Sequence, residues 1–182
     1  MATLYLVRHG KAAAGWDADH DPGLDATGQA QAEAVAKTLE PLGPLQMVTS
    51  PMRRCQETSV PLSTLWGRTP TIEKGVSEVP SPLDDLVERT AWLRGFMSGS
   101  WGDADAERQA WRMNVVRALL DLPQDTVVFT HFIAINAAVG EATRDDRVVS
   151  FRPDNCSVTV MRSVMDELQL VERGQEAQTE VR

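Results

Sequence analysis

Leu4-Tyr5-Leu6-Val7-Arg8-His9-Gly10 decides the reading of this chain, and Thr126-Val127-Val128-Phe129-Thr130-His131 repeats its form. Each is a short apolar run of strand length that ends at a histidine. In an open α/β sheet, ligands bind outside the carboxyl ends of the strands. A strand closing on Arg8-His9-Gly10 sets a guanidinium and an imidazole at the mouth of such a cleft, and Gly10 lets the backbone bend and approach closely. A second strand closing on His131 can bring another imidazole to the same mouth. Neutral imidazole is a nucleophile, and imidazolium is a partner for phosphate.

Working outward, residues 3–7 read as the first buried strand, followed by a polar loop to about Gly23. Asp25 is placed to cap a helix running to about Glu40, with Ala32, Val35, Leu39 and Leu42 on its buried face. Residues 46–49 read as a short strand. Ser50-Pro51 then opens a helix, Ser50 as cap and Pro51 in the first turn, with Met52, Cys55, Ser59, Leu62 and Trp66 at helical spacing. Pro61 is expected to kink that helix or end it early. A turn over 67–71 leads to a short strand at 71–73. Residues 83–97 form a helix with Leu83, Leu86, Thr90, Leu93 and Met97 on one face. Asp103 caps another to about Leu120, with Trp111, Val115 and Leu119 inward. Strand 126–130 feeds a buried helix at 132–140, and 156–161 with 167–171 make a terminal hairpin or edge pair. Strands alternating with helices predict an α/β three-layer sandwich with a mostly parallel central sheet flanked by helices, its last strands antiparallel. The expected domain spans 1–174 and 175–182 is a polar C-terminal tail, with the chain expected to fray from Glu172 on.

The bulk properties narrow the function. The 182 residues suit a single domain. A net charge of −8 argues against a nucleic-acid footprint, so any anion site is a local basic pocket in an acidic surface. The two cysteines, Cys55 and Cys156, make neither a disulfide framework nor a zinc pattern, and no metal site is expected. Met1-Ala2-Thr3-Leu4 lacks the basic region of a signal peptide, and the apolar run ends at Arg8, far short of a membrane span. A cytoplasmic protein without a membrane partner is the expectation.

A third stretch, Thr49-Ser50-Pro51-Met52-Arg53-Arg54-Cys55, feeds a strand into a helix N-terminus that carries two arginines. Helix N-termini bind anions through free N–H groups, and arginine adds a bidentate phosphate donor. Three strand ends thus share one chemistry. Here the chain resembles the histidine phosphatase superfamily, also called phosphoglycerate mutase-like, from Leu4 to about Met161. Leu6-Val7-Arg8-His9-Gly10 looks like the family's N-terminal signature. Leu24-Asp25-Ala26-Thr27-Gly28-Gln29-Ala30-Gln31-Ala32 resembles its Leu-Thr-x-x-Gly-x-x-Gln-Ala helix start, with Asp25 for the usual threonine. Ser50-Pro51-Met52-Arg53-Arg54-Cys55 is similar to Ser-Pro-Leu-x-Arg-Ala, which aligns Arg54 rather than Arg53 with the phosphate pocket. Asn155-Cys156-Ser157 resembles a small polar segment before a late strand. The chain departs from the family's usual His-Gly at Thr130-His131-Phe132.

The resemblance implies a phosphoglycerate mutase-like fold and roles for these residues. His9 would be the nucleophile, taking the phosphoryl group as phosphohistidine. Arg8, Arg54 and a protonated His131 would hold the phosphoryl oxygens. Water would then hydrolyse the phosphoenzyme, with no metal or other cofactor. An acid after the middle strand would protonate the leaving group. Glu78 is the best match, with Glu73, Asp84 and Asp85 as competitors. Lys11 and Arg53 are possible substrate contacts, while Trp16 and His20 sit in the loop after the nucleophile with structural or surface roles expected. Trp92, Trp101 and Trp111 are expected to pack the core. The implied activity is metal-independent hydrolysis of a phosphomonoester or phosphohistidine, on a phosphorylated small molecule or a phosphoprotein. The helical segment 83–120 is long enough to form a partial lid, which leans towards a metabolite. The alternatives are a phosphoglycerate mutase-type phosphotransferase, disfavoured by the short chain, and a non-catalytic phosphoryl-binding regulatory module.

Overall fold

A computed structural model describes residues 1–178. Strand β1 (Ala2–Arg8) sits inside a six-stranded sheet, with β2 (Gln46–Thr49), β3 (Thr71–Ile72), β4 (Thr126–Thr130), β5 (Val158–Val164) and β6 (Glu167–Glu172). Its order is β3-β2-β4-β1-β5-β6. The first four strands in that order run parallel, and β5 and β6 add an antiparallel hairpin beside β1. The strands that end at Arg8, Thr49 and Thr130 are therefore neighbours, and their carboxyl ends share one edge.

Side chains alternate across the sheet, as a strand's period of two requires. Val7, Met47, Val127 and Phe129 face one core with Val35, Ala36, Leu39, Cys55 and Leu62. Leu4, Leu6, Val48 and Val128 face the opposite core with Val115, Leu119, Ile133 and Ala137. Helices α1 (Ala26–Leu39) and α2 (Arg53–Trp66) cover the first face; α4 (Ala106–Leu120) and α5 (Phe132–Thr143) cover the second. This is the expected three-layer sandwich.

Asp25 caps α1 as expected, its side chain accepting from the Gly28 N–H. Leu42 does not join the buried face: the helix ends at Leu39, a 3-10 turn changes the side-chain phase, and Leu42 is 44% exposed. Helix α2 begins at Arg53, not at Ser50-Pro51; Met52 is extended at the N-cap position. Pro61 neither breaks nor shortens α2. It costs one backbone hydrogen bond, while the same helix buries Cys55, Thr58, Ser59 and Leu62 along its length.

Helix α3 (Leu86–Met97) buries only Leu93 rather than the broad stripe expected. Its partner is an aromatic cluster, not the sheet: Trp92 stacks on Phe96 at 5.0 Å, Phe96 meets Trp101 at 5.5 Å, and Trp101 stacks on Trp111 at 6.0 Å. The cap of α4 is Asp105, because Trp101–Asp103 closes into a 3-10 turn first.

The polar end is not frayed from Glu172. β6 runs to Glu172, and the chain then turns back along residues 152–154, with an isolated antiparallel bridge between Pro153 and Glu176. Residues 179–182 of the expected tail lie outside the described residues.

Candidate active site

β1 delivers Arg8 and His9, β2 delivers Ser50 and the start of α2 with Arg54, and β4 delivers His131 at the N-cap position of α5. Register fixes their level: Arg8 pairs with Thr130, and Thr49 with Phe129. The ladder continues one step past the strands, where the His9 N–H donates to the Thr130 carbonyl at 3.0 Å and the Ser50 N–H to the Phe129 carbonyl at 3.0 Å. The two imidazoles meet edge to face, ring centroids 5.4 Å apart.

His9 lies 2.7 Å from the Gly10 carbonyl through Nδ1, so Nδ1 carries the proton. Its Nε2 accepts from Arg54 Nε at 3.3 Å. Burial, then Arg54 and Arg8, hold His9 well below the ordinary imidazole range. The ring is therefore neutral with its lone pair on Nε2. His131 is buried too, and burial followed by Arg54, His9 and Arg8 depresses it likewise. Arg54 Nη2 lies 3.2 Å from His131 Nδ1, leaving Nε2–H to donate to Ser50 Oγ at 2.8 Å.

The arginines are deeply placed for charged groups. Arg8 donates from Nη1 to the Pro153 carbonyl at 3.0 Å and lies 5.2 Å above the Phe132 ring. Arg8 Nε and Arg54 Nη1 are buried with no protein acceptor among the described residues. Buried N–H groups normally have partners, and both side chains line one cavity, whose contents can supply the acceptor. Phe132 costs no backbone strain in the place of glycine, because it starts α5 and has no positive φ.

Of the four candidate acids, only Glu78 reaches this cluster. Its Oε2 lies 3.9 Å from His131 Nδ1, and its side chain is 7% exposed. Burial raises its pKa, against the opposing pull of Arg54, the Val79 N–H and Arg8. Glu73 caps the 3-10 turn at 74–76, Asp85 caps α3, and Asp84 is exposed.

Arg8, His9, Arg54, Glu78 and Phe132 line a cavity of about 620 Å³. Ala12 to Trp16, Asn155 and Ala177 also line it. No residue of 83–120 lines it, so the expected helical lid is absent; α4 packs on α5 instead. Lys11 stands at the rim, 3.6 Å from Asp25 and largely exposed. Arg53 does not reach the cavity: its Nε binds Glu57 at 2.9 Å and it faces a separate groove. Trp16 lines the cavity while packing on the core, whereas His20 lies 3.5 Å from Arg89 Nη1. Among the described residues no group of three His, Cys, Asp or Glu is placed to hold a metal ion, and no helix is long and apolar enough to cross a membrane.

Several supports escape a sequence reading. Thr58 Oγ1 accepts from the Gly10 N–H at 3.0 Å and donates to the Arg54 carbonyl at 2.7 Å, tying the two motifs together. Asn155 Nδ2 donates to the His9 carbonyl at 3.0 Å. Ser50, expected as a helix cap, accepts from the Met52 N–H at 3.2 Å just ahead of α2 and from His131 Nε2 at 2.8 Å. Gly10 serves close approach: a Cβ there would sit 2.7 Å from the Gly28 carbonyl oxygen. Gly28 in turn packs on the Lys11 backbone, which explains a glycine in the first turn of α1.

The profile of the histidine phosphatase superfamily (branch 1) matches residues 4–175. Among solved structures, a phosphoserine phosphatase from Entamoeba histolytica in complex with 3-phosphoglyceric acid superposes with a TM-score of 0.76 at 20% identity, covering 98% of this chain and 98% of that one. A mycobacterial glucosyl-3-phosphoglycerate phosphatase superposes with a TM-score of 0.74 at 20% identity, covering 97% and 100%. A PE-PGRS family protein of Mycobacterium tuberculosis is 37% identical over 88 residues, covering 41% of this chain. The chain spans 15% of that relative's length.

Proposed function

The chain belongs to the histidine phosphatase superfamily, and from that premise we propose that it hydrolyses a phosphomonoester through a phosphohistidine on His9, without a metal. One observation carries the reading: a neutral His9 Nε2 lone pair beside buried Arg8 and Arg54 N–H groups that have no protein acceptor among the described residues. The arginines orient a phosphoryl group; Arg54 Nε–H passes from His9 Nε2 to a phosphoryl oxygen, and the freed Nε2 lone pair attacks phosphorus as the ester P–O bond breaks. Positive charge from Arg8 and Arg54 stabilises the equatorial oxygens. His131 joins them once it takes a proton at Nδ1, which the incoming phosphate dianion favours.

Glu78 acts as the acid. Its burial keeps the carboxyl protonated above the ordinary range, so it can hand a proton to a departing alkoxide. Glu78 as carboxylate then takes a proton from the water that attacks the phosphohistidine, and His9 leaves neutral. This acid favours an ester of an alcohol over phosphohistidine, whose imidazole leaving group changes the need for it. With the helical lid absent, the size of the cavity, about 620 Å³, is what favours a small phosphorylated metabolite over a folded phosphoprotein. Two proteins of like fold are named as phosphatases of such compounds, phosphoserine and glucosyl-3-phosphoglycerate.

The test is hydrolysis of an aryl phosphate with and without EDTA by the wild type and by His9→Ala. Turnover that survives EDTA and is lost in the variant, with acid-labile phosphate on His9 in rapid-quench mass spectrometry, is the expected result. Binding of phosphate without turnover or labelling would replace it with the phosphoryl-binding module.

A further inference from the structure

The described residues after β6 have no part in the chemistry above, yet they reach the cavity, which Ala177 lines. Gly174 tucks beneath the β5 entry, its N–H donating to Thr159 Oγ1 at 3.1 Å. A Cβ on Gly174 would lie 3.0 Å from that oxygen and 3.1 Å from the Ser157 Cβ, so glycine lets the chain turn back closely here. The returning chain then pairs with 152–154. The Asp154 N–H donates to the Gln175 carbonyl at 2.8 Å, and the Ala177 N–H donates to the Arg152 carbonyl at 2.7 Å. The Glu176 side chain accepts from the Arg152 N–H at 3.0 Å.

What this pairing holds matters. Pro153, at the centre of the bridge, supplies the carbonyl that receives Arg8 Nη1. That is the one hydrogen bond to the Arg8 guanidinium among the described residues; its other contact is the face of Phe132, which fixes distance more than direction. Two residues on, Asn155 holds the His9 carbonyl and the Cys156 N–H donates to the Arg8 carbonyl at 2.9 Å. Cys156 stands in the left-handed region at φ 56°, so this turn keeps its shape only because its surroundings impose it.

We propose that residues 174–177 are a positioning strap for the phosphate pocket: by clamping 152–154 they aim the Pro153 carbonyl, and through it the Arg8 guanidinium, at the phosphoryl site. The strap binds no substrate group by its own charge. Glu176 is its positioning residue, because its carboxylate is the side-chain bond of the clamp. Glu176 does not line the phosphate cavity but faces a separate groove with Arg147 and Arg152, so it acts on the pocket only through the backbone it clamps. The proposal rests on the phosphatase reading only for its kinetic readout.

The experiment compares Glu176→Ala, Glu176→Gln and Gly174→Val in the full chain. Readouts are inorganic phosphate binding by calorimetry, KM and kcat for an aryl phosphate, and thermal unfolding. Glu176→Ala and Gly174→Val weaken phosphate binding and raise KM about fivefold, the scale of one lost hydrogen bond. Glu176→Gln stays near wild type, because its amide oxygen still accepts from the Arg152 N–H. In an Arg8→Ala background, Glu176→Ala adds no further loss of phosphate binding. Equal behaviour of Glu176→Ala and Glu176→Gln, unchanged phosphate binding in Glu176→Ala, or additive losses with Arg8→Ala would each overturn the strap. If no aryl phosphate is turned over, the calorimetry still decides the matter, so failure of the strap and failure of the phosphatase reading are told apart.

Discussion

Arg54 Nε stands 3.3 Å from His9 Nε2 while Nη2 of the same guanidinium stands 3.2 Å from His131 Nδ1. One planar fork therefore spans both imidazoles and points an N–H at each. An N–H can donate only to an unprotonated nitrogen, so Arg54 selects the neutral form of both rings.

A lysine cannot reproduce that fork, since its ammonium is a single point of charge. Arg54→Lys is expected to lower kcat/KM for an aryl phosphate about a hundredfold, the scale of losing one preorganised transition-state donor. Steady-state kinetics with circular dichroism as a folding control checks it. Loss under tenfold would mean that charge alone suffices at this position.

The pH–rate profile follows from two opposite shifts. His9 must be neutral to attack, and its depressed pKa keeps it so below the ordinary imidazole range. Glu78 must be protonated to act as acid, and its raised pKa extends that form above the ordinary carboxyl range. For an alkyl phosphomonoester, kcat/KM should rise as His9 loses its proton and fall as Glu78 loses its own. For an aryl phosphate the alkaline fall should flatten, because a phenolate leaves without protonation. Glu78→Gln should cost the alkyl ester about a hundredfold and the aryl ester far less. Equal losses on both substrates would remove Glu78 from the role of acid.

Much of this site was legible because it lies where chain order and sheet geometry coincide. A strand ending in histidine can be seen in sequence, and parallel pairing of β1, β4 and β2 brings their ends together. The supports were not legible, because they join residues far apart in the chain: Thr58 to Gly10, Asn155 to the His9 carbonyl, Ser50 to His131. Periodicity also misled where the partner was not the sheet. The stripe on α3 reads as core-facing, yet α3 packs by Trp92, Leu93 and Phe96 on an aromatic cluster. The reach of the tail depended on backbone pairing to 152–154, which has no side-chain pattern.

Phosphate binding should draw in protons. Both histidines are neutral in the free site, and a bound dianion opposes the arginine field that depresses them. His131 then gains a proton at Nδ1. Calorimetry of phosphate binding near pH 7 in buffers of different ionisation enthalpy should show net proton uptake, reduced in His131→Gln. Absence of uptake in the wild type would leave His131 a neutral contact.

The same groups set the response to acid. Their pKa values are depressed in the folded state, so below about pH 6.5 the unfolded chain binds protons that the native one does not, and stability falls as pH drops. Glu78 acts oppositely: raised on folding, it adds stability as pH falls towards the ordinary carboxyl range. Two histidines act against one carboxyl, so the balance is a fall in stability as pH drops below the ordinary imidazole range. Urea unfolding across that range should show it, and His131→Gln should flatten it. Stability that rises towards pH 5 in the wild type would contradict the buried neutral pair.

Gly28 tests how the first turn of α1 supports the loop that carries His9. Its Cα lies against the Lys11 backbone, where an added Cβ would overlap the Lys11 carbonyl oxygen, and backbone on both sides leaves no flexible group to move aside. The Lys11 carbonyl also accepts the Asp25 N–H at 3.0 Å, so α1 and the loop after His9 are joined twice at this point. Alanine, the better helix former, should therefore destabilise here by about 1–3 kcal/mol, against a propensity gain of about 1 kcal/mol at an open helix position. It should also lower kcat, because the displaced Lys11 lies two residues from His9 and Gly10 already touches the Gly28 carbonyl. Gly95, in α3, is the control: a Cβ added there meets open space, and alanine should stabilise or be neutral without touching kcat. Thermal unfolding and aryl phosphate turnover of both variants separate the two positions; a Gly28→Ala enzyme as stable and fast as wild type would show that the loop yields freely.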